Sequence, residues 1–452
     1  MEEKVIGYLP DERPGFLKLI IFALQQIIVM FPATVLVALL TGFHVSTTIF
    51  ASGVATLGFI LITRRQIPLF YGSSFSYITA IVAITGVQAF GSVVPDEKIQ
   101  LAQFGIVMSG LISIGAGLII KRFGQDTIEK VLPPTVTGSI ALVIGLSLSK
   151  TAMENPIQLP AGVAAGDPLA TNLGWTIAIF TLLATVLFSV YLRGTWSQVP
   201  ILLGLLCGYA FAWILGAYFG IPFVDFNRIG GEAGFFALPH FTLPKPSWDA
   251  MFAIMPIALA TIPESTAHLF QLDIYVNNLA KKKKKSSYKI ADKLGLNLIG
   301  DGLGDMISGM MGGPAGTNYG ENLSTMSITR NYSVSVLIAA SVITMIIACF
   351  TPLTAAVYSI PNAVIGGISI YLFGVIAAQG IAIMVSRKVD LFDSRNLGVI
   401  AVILIVGLGG SFAFDGSGMI PMFGGRLPAI ATAAIVGILL NLLLSIGKKK
   451  EA

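Results

Sequence analysis

Residues 312–330 read GGPAGTNYGENLSTMSITR, from Gly312 to Arg330, and they interrupt an otherwise apolar chain with glycine, proline and a carboxylate. Glu321 falls where a membrane span belongs. An ionisable side chain at that depth costs about 2.5 to 3.5 kcal/mol on insertion scales and is retained where it lines a cavity or pathway. Ahead of it, Gly312, Gly313, Pro314 and Gly316 oppose a regular helix, because proline lacks the amide donor and glycine loses the most backbone freedom on ordering. The stretch therefore reads as extended backbone that turns helical near Glu321. Broken spans are tolerated in a bilayer only where the released backbone groups face protein or a wet cavity, and in transporters such breaks hold the substrate. A buried re-entrant loop with a structural Glu is the plainer alternative.

The rest of the chain supports the membrane setting. Of 452 residues, 55% are hydrophobic and only 11% charged, against about 25% charged in soluble domains. This composition describes a polytopic membrane protein with the lipid bilayer as its surroundings. Gly204 with Gly208 and Gly300 with Gly304 form small-xxx-small pairs that let helices approach closely. The two cysteines, Cys207 and Cys349, sit inside apolar runs, so the sequence supports neither a disulfide framework nor a metal site. The net charge of +5 lies in loops without interleaved aromatics, which argues against a nucleic-acid surface. Without a nucleophile elbow, a phosphate loop or metal-ligand spacing, an enzyme is not expected.

Residues 1–15 are polar, and the apolar run from Phe16 to Leu40 is too long for a signal-peptide core. It is the first of fourteen expected spans. Six follow at 45–63, 66–86, 102–120, 133–149, 174–192 and 199–219, and after the proline-rich stretch 220–249 come 250–272, 292–311, 314–329, 332–352, 362–385, 396–413 and 427–447. Each is near the ~20 residues that cross a bilayer. With the N-terminus in the cytoplasm, 23 of the 28 basic residues fall on cytoplasmic loops, including Lys4, Lys281 to Lys285 and Lys448 to Lys450. Lys98, Lys150, Arg228, Lys245 and Arg426 fall outside. That asymmetry is what the positive-inside rule requires, and it puts both termini in the cytoplasm of a multi-pass cell-membrane protein. Lys281 to Lys285 read as an ordinary cytoplasmic loop or, alternatively, an anionic-lipid site.

Seven spans per set make the two halves inverted relative to each other. Pro133-x-x-Val136-x-Gly138-x-Ile140 recurs as Pro361-x-x-Val364-x-Gly366-x-Ile368, and Pro32 aligns with Pro263. Tyr71-Gly72-Ser73-Ser74 stands against Tyr319-Gly320-Glu321-Asn322. The expected fold is thus all-α, with 14 transmembrane segments as 7+7 inverted repeats and short extended breaks in spans 3 and 10. Paired breaks point to a midplane binding site between residues 71–77 and 316–322.

In the eighth span, Glu264 and His268 are four apart and share a helix face. With Glu321 they supply two carboxylates and an imidazole at membrane depth, the material of a proton relay or, more plainly, of a bridge between helices. Asp301 and Asp305 form a second four-spaced pair, read either as a Na⁺ site or as helix-end residues. A planar ligand with N–H and C=O groups on its edge suits this inventory. Carboxylates accept its N–H protons, and amides at helix starts meet its carbonyls. Uracil and xanthine both fit.

These residues resemble the nucleobase/ascorbate transporter family (nucleobase:cation symporter-2), and within it the bacterial uracil permeases, over nearly the whole chain. The family signature is an acidic residue, Gln or Pro, then Asn-x-Gly, four residues and Thr-Arg. Glu321-Asn322-Leu323-Ser324 through Thr329-Arg330 match it, with Ser324 at the glycine position. Gly72-Ser73-Ser74-Phe75, the ATVLV after Pro32, the TNYGEN run and Glu264 with His268 also look like uracil permeases. Gln25-Gln26 stands where the family usually has Gln-His, and Phe373 where uracil permeases often carry Tyr.

The resemblance implies a core domain (14–122 and 250–352) moving against a gate domain (131–220 and 360–447), and proton-coupled uptake of uracil. It further implies that Glu264 and Glu321 hydrogen-bond the base, that the backbone N–H groups of Phe75 and Gly320 meet its carbonyls, and that Tyr319 walls the pocket. His268 joins Glu264 in proton coupling. No cofactor is implied beyond the proton as coupling ion, with Na⁺ as the alternative, and a homodimer is compatible with it. One competing expectation is a xanthine or purine-cation symporter, which would carry Gln rather than Glu in the signature. Another, of a different class, is an anion carrier or channel of the same fold, which would carry a cation where Glu321 stands.

Overall fold

Proline or glycine stands at many helix limits, among them Gly15, Gly42, Gly124, Pro133, Gly220, Pro361 and Pro428. The computed structural model describes residues 7–87, 91–124, 130–164, 166–225, 234–414, 418–422 and 425–446. Lys4, Arg228, Lys448 to Lys450 and the last residue of the expected final span lie outside the described residues. The first half contains α1 (Phe16–Thr41), α2 (Val45–Ile62), β1 (Tyr71–Ser73), α3 (Ile78–Thr85), α4 (Asp96–Phe123), α5 (Pro134–Ser147), α6 (Ser149–Glu154), α7 (Pro168–Tyr191) and α8 (Pro200–Phe219). The second half contains α9 (Trp248–Ile254), α10 (Ala258–Lys282), α11 (Leu294–Met311), β2 (Gly316–Asn318), α12 (Gly320–Thr329), α13 (Val334–Ala348), α14 (Thr351–Tyr358) and α15 (Asn362–Ser386). It closes with α16 (Ser394–Phe412, with a π-helical turn at Ile405–Gly409), β3 (Met419–Met422), β4 (Gly425–Pro428) and α17 (Ala429–Ser445).

Among the described residues, nine helices are long and apolar enough to cross a membrane, and Phe75–Thr85, Val334–Ala348 and Ala429–Ser445 are shorter apolar helices. The chain is a mostly helical, multi-pass membrane protein. Two sequence expectations need correction. The last helix starts at Ala429 rather than at residue 427, because Gly425–Pro428 pairs with Met419–Met422 in a hairpin that an all-α reading did not contain. Pro421 and Pro428 oppose helix there, and Pro428 serves as the N-cap of α17. At the eighth span, α10 runs past residue 272 to Lys282, so the first lysines of the basic run sit on a helix end.

Close packing rests on small residues. Where α4 crosses α11, a Cβ on Gly110 would lie 2.3 Å from the Gly302 carbonyl oxygen, and one on Gly302 would lie 2.3 Å from that of Gly110. Gly117 and Gly295 repeat the contact two turns away, so the antiparallel backbones touch and any larger residue would separate them. Gly204 and Gly208 lie against Thr185 and Thr181 of α7, while Gly300 and Gly304 receive the rings of Phe59 and Tyr71. A second group of helices forms around α5 and α15, which meet at Gly138 and Gly380, with α7 also packed on α15.

β1 pairs antiparallel with β2, in the register Tyr71 with Asn318, Gly72 with Thr317 and Ser73 with Gly316. Each strand leads into a helical turn, capped by Ser74 on one side and by Tyr319 on the other. Each strand is thus followed by its N-cap, Ser74 or Tyr319, and these caps stand three residues out of step with the Tyr71-to-Tyr319 echo in the sequence. A dipeptide match carries no register of its own; the strand pairing and the caps do. The proline echo does coincide with structure, since Pro133 and Pro361 are the N-caps of α5 and α15.

Candidate functional site

The β1–β2 crossing is only three residues wide on each strand, and side chains from four helices complete it. Ser74 N–H donates to the Ala315 carbonyl at 3.0 Å, and Tyr319 N–H donates to that of Phe70 at 2.9 Å. Ser52 and Thr56 hydroxyls on α2 both donate to the Tyr71 carbonyl, at 2.8 and 2.9 Å. On the other side, Asp305 of α11 accepts the Tyr71 hydroxyl at 2.5 Å and the Gly316 N–H at 2.8 Å. Backbone groups of the extended segments are thus satisfied inside the protein.

The two helical turns start at this crossing. The first amides of a helix lack an intrahelical acceptor and carry the positive end of its dipole. Phe75 opens the 3₁₀ turn Phe75–Tyr77, and Gly320 opens α12. Their N–H groups are the donors that the sequence reading assigned to a ligand.

His268 seats the second turn. Its Nδ1 lies 2.8 Å from the Asn318 carbonyl oxygen, so that nitrogen is the donor. The ring packs under Gly320, where a Cβ would fall 2.7 Å from Nε2. One turn earlier on the same helix is the half-buried Glu264, and Glu321, an accessible residue, follows Gly320 in the first turn of α12. Among the described residues, neither carboxylate accepts a hydrogen bond from another side chain.

Tyr319 links three elements. Its ring lies on Gly72, where a Cβ would approach within 2.5 Å. Its hydroxyl donates to the Ser73 carbonyl at 2.9 Å and lies 3.0 Å from Thr34 Oγ1 of α1. This one side chain joins both extended segments to the first helix.

All six expected residues, Phe75, Glu264, His268, Tyr319, Gly320 and Glu321, converge here. The structure adds partners that sequence reading passed over or left open. Asn318 Nδ2 donates to Ser265 Oγ at 3.1 Å and to Asn297 Oδ1 at 3.2 Å. Ser265 in turn donates to Asp301. Asp301 and Asp305 are both buried in this polar layer and lie more than a turn inside α11, so neither is a helix-end residue; their four-residue spacing was the available signal. Gln26 Oε1 accepts from Asn322 Nδ2 at 2.8 Å, tying Asn322 to α1. Tyr371 is 2.6 Å from Ser189 on α7 and does not stand in for a tyrosine at the buried Phe373. A cavity of about 530 Å³ lies away from this centre, lined by Ser46, Val93, Leu238, Thr351, Ala355 and Tyr358 among others.

A sequence profile named Xan_ur_permease, described as a permease family, matches residues 17–416. The chain belongs to this family. The uracil permease of Bacillus caldolyticus is 35% identical over 442 residues, covering 96% of this chain and 94% of that protein. The uracil permease of Escherichia coli (strain K12) is 34% identical over 443 residues, covering 98% and 94%. The putative pyrimidine permease RutG of the same organism is 34% identical over 437 residues, covering 96% and 91%.

Among solved structures, this permease is similar to the inward-facing murine Solute Carrier 26 family member A9 anion transporter, with TM-score 0.65 and 14% identity, covering 96% of this chain and 69% of that one. It is also similar to the transmembrane domain of a cyanobacterium bicarbonate transporter, BicA, with TM-score 0.55 and 18% identity, covering 98% and 100%. At those identities the likeness is one of fold. The family makes this permease a transporter rather than an enzyme.

Proposed function

We propose that this permease imports uracil across the cell membrane together with protons. The observation that carries the reading is the pairing of two carboxylates, Glu264 and Glu321, with two helix-start amides at Phe75 and Gly320, around one crossing of broken segments. Uracil's edge alternates N–H and C=O groups, so carboxylate acceptors and backbone donors together match it. The relatives named as uracil permeases agree with that class of ligand. A xanthine or purine would meet the same polar groups, but the signature position holds Glu321 rather than Gln. The anion carriers of similar fold are the less favoured reading, since Glu321 and Glu264 would repel an anion at this crossing.

In this reading the chain crosses the membrane fourteen times, in two inverted sets of seven with breaks in spans 3 and 10, and both termini are cytoplasmic. The antiparallel β1–β2 register and the matching caps at Pro133 and Pro361 support the internal symmetry. The helices around α4 and α11 would form the core that carries the site, and those around α5 and α15 the gate against which it moves. The oligomeric state compatible with this is a monomer or a homodimer.

Coupling follows if Glu264 is charged in one state and neutral in another, with His268 sharing the proton, because proton and substrate binding are then linked. The test is uptake of labelled uracil into proteoliposomes under an inward proton gradient, with a Na⁺ gradient and competing xanthine as separate arms. We expect proton-driven accumulation of labelled uracil that excess xanthine leaves in place. In Glu264→Gln it should fall to equilibration or binding alone. Accumulation driven by Na⁺, or persisting in Glu264→Gln, would refute this assignment of the proton.

A further inference from the structure

Two of the chain's three histidines lie far from the crossing and face the same carboxylate. His240 Nε2 is 2.8 Å from Asp96 Oδ2, and His44 Nε2 is 3.7 Å from Asp96 Oδ1. The imidazole rings are 4.7 Å apart between centroids, and one ligand atom from each of the three residues lies within 4.8 Å of the others. In a tetrahedral site with bonds of about 2.0 Å, neighbouring ligand atoms are about 3.3 Å apart. The two nitrogen–oxygen distances, each to a different oxygen of Asp96, bracket that value, and the three side chains already bring one ligand atom each within 4.8 Å of the others.

A second observation points the same way. The His44 side chain is a quarter exposed, but its Nε2 is shielded from solvent and has no hydrogen-bond partner among the described residues, since Asp96 lies 3.7 Å away. A buried imidazole nitrogen without a partner is the kind of group that a cation with an open coordination position satisfies.

The backbones behind these side chains are held by helix ends. His44 precedes α2, and its carbonyl accepts from Thr48 N–H and Thr48 Oγ1, both at 2.9 Å. Thr47 Oγ1 donates to the His240 carbonyl at 2.6 Å, so one helical turn anchors both histidines. Asp96 is the first residue of α4. The segment carrying His240 is laid across these helix ends by further bonds, from Lys245 Nζ to Glu97 at 2.8 Å and from Gln103 Nε2 to the Thr242 carbonyl at 2.7 Å.

We infer that His44, Asp96 and His240 form a binding site for a zinc-class divalent transition metal. Two imidazoles and a carboxylate are its protein ligands, and a water is the fourth. Borderline-soft imidazole with one carboxylate selects zinc, cobalt or nickel over calcium and magnesium, which take all-oxygen ligation. A bound ion fastens residues 234–247 to the starts of α2 and α4, beside the approximately 530 Å³ cavity lined by Ser46, Val93 and Leu238.

The test uses the full-length chain without an affinity tag, in detergent, with zinc followed by equilibrium dialysis and cobalt(II) by visible absorption. We expect one zinc per chain and a cobalt spectrum of low-coordinate N/O character that zinc displaces. His44→Gln, His240→Gln and Asp96→Asn should each weaken zinc binding on the order of tenfold or more, with metal-free melting temperatures unchanged. His268→Gln, which removes the remaining histidine, should bind zinc like the parent. Should a variant fold poorly, the cobalt spectrum and stoichiometry of the unaltered protein still decide. Octahedral cobalt, several weak zinc ions per chain, or zinc binding that survives loss of both His44 and His240 would overturn the assignment.

Discussion

Gly320→Ala tests the junction between His268 and the start of α12 most sharply. The added Cβ would lie 2.7 Å from His268 Nε2, 3.2 Å from Cε1 and 3.4 Å from Cδ2. Ordinary contact begins near 3.4 Å, so the nearest pair must separate by about 0.7 Å. If the ring holds its place, α12 moves instead and the strain is that of overpacking, about 1 to 3 kcal/mol. If the ring gives way, His268 loses its bond to the Asn318 carbonyl, about 0.5 to 1.5 kcal/mol, and the Asn318 oxygen is left buried. Either route displaces the Gly320 N–H or the groups behind it. Because 1.4 kcal/mol is a tenfold change in an equilibrium constant, uracil binding should weaken by roughly 5- to 100-fold.

The assay is equilibrium binding of labelled uracil to purified protein at one pH, with melting temperature recorded alongside. A second background makes the cause specific. In His268→Ala the ring is gone, so adding Gly320→Ala should cost little further, and the double-mutant cycle should show coupling of about 1 kcal/mol or more. Affinity in Gly320→Ala equal to the parent, or an equal penalty with and without the His268 ring, would refute the steric argument.

Three other outcomes follow from the same geometry. Glu321→Ala removes an acceptor for a buried ligand N–H and should cost on the order of 1.5 to 3 kcal/mol of uracil binding; a change of less than twofold by calorimetry would make Glu321 structural. Tyr319→Phe keeps the ring on Gly72 but leaves the Ser73 carbonyl without its hydroxyl donor, so unfolding in denaturant should be easier by about 1 to 3 kcal/mol; unchanged stability would contradict the joining role of Tyr319. At the N-terminal segment, burial works against the charge on Glu12, yet hydrogen bonds from Lys283, Leu9 N–H and Lys285 hold its pKa down from 4.5 to about 2. A carboxylate depressed on folding stabilises above its unfolded pKa and loses that contribution as pH falls toward the folded one. Glu12→Gln should therefore lower the melting temperature near neutral pH, with the gap to the parent closing between pH 4.5 and 2; a gap independent of pH would contradict it.

The amino-acid sequence by itself determined the features that depend on local spacing and on solvent. Its apolar runs demanded a bilayer, and Gly312, Gly313, Pro314 and Gly316 ruled out a continuous helix before Glu321. Glu264 and His268 had to share a face, because residues four apart on a helix are neighbours whatever the fold. Only the tertiary structure decided which distant segments meet. The hydropathy of a membrane helix says that it is buried in lipid or protein, not which helix it touches, so α4 against α11 becomes visible only when their glycine backbones are in contact. The Tyr71 to Asp305 bond spans 234 residues, and Asp96 to His240 spans 144. The β1–β2 register, set three residues away from the apparent repeat, belongs to the same class. Such pairings depend on how whole helices pack, and a short apolar or polar pattern is compatible with many packings until long-range contacts select one.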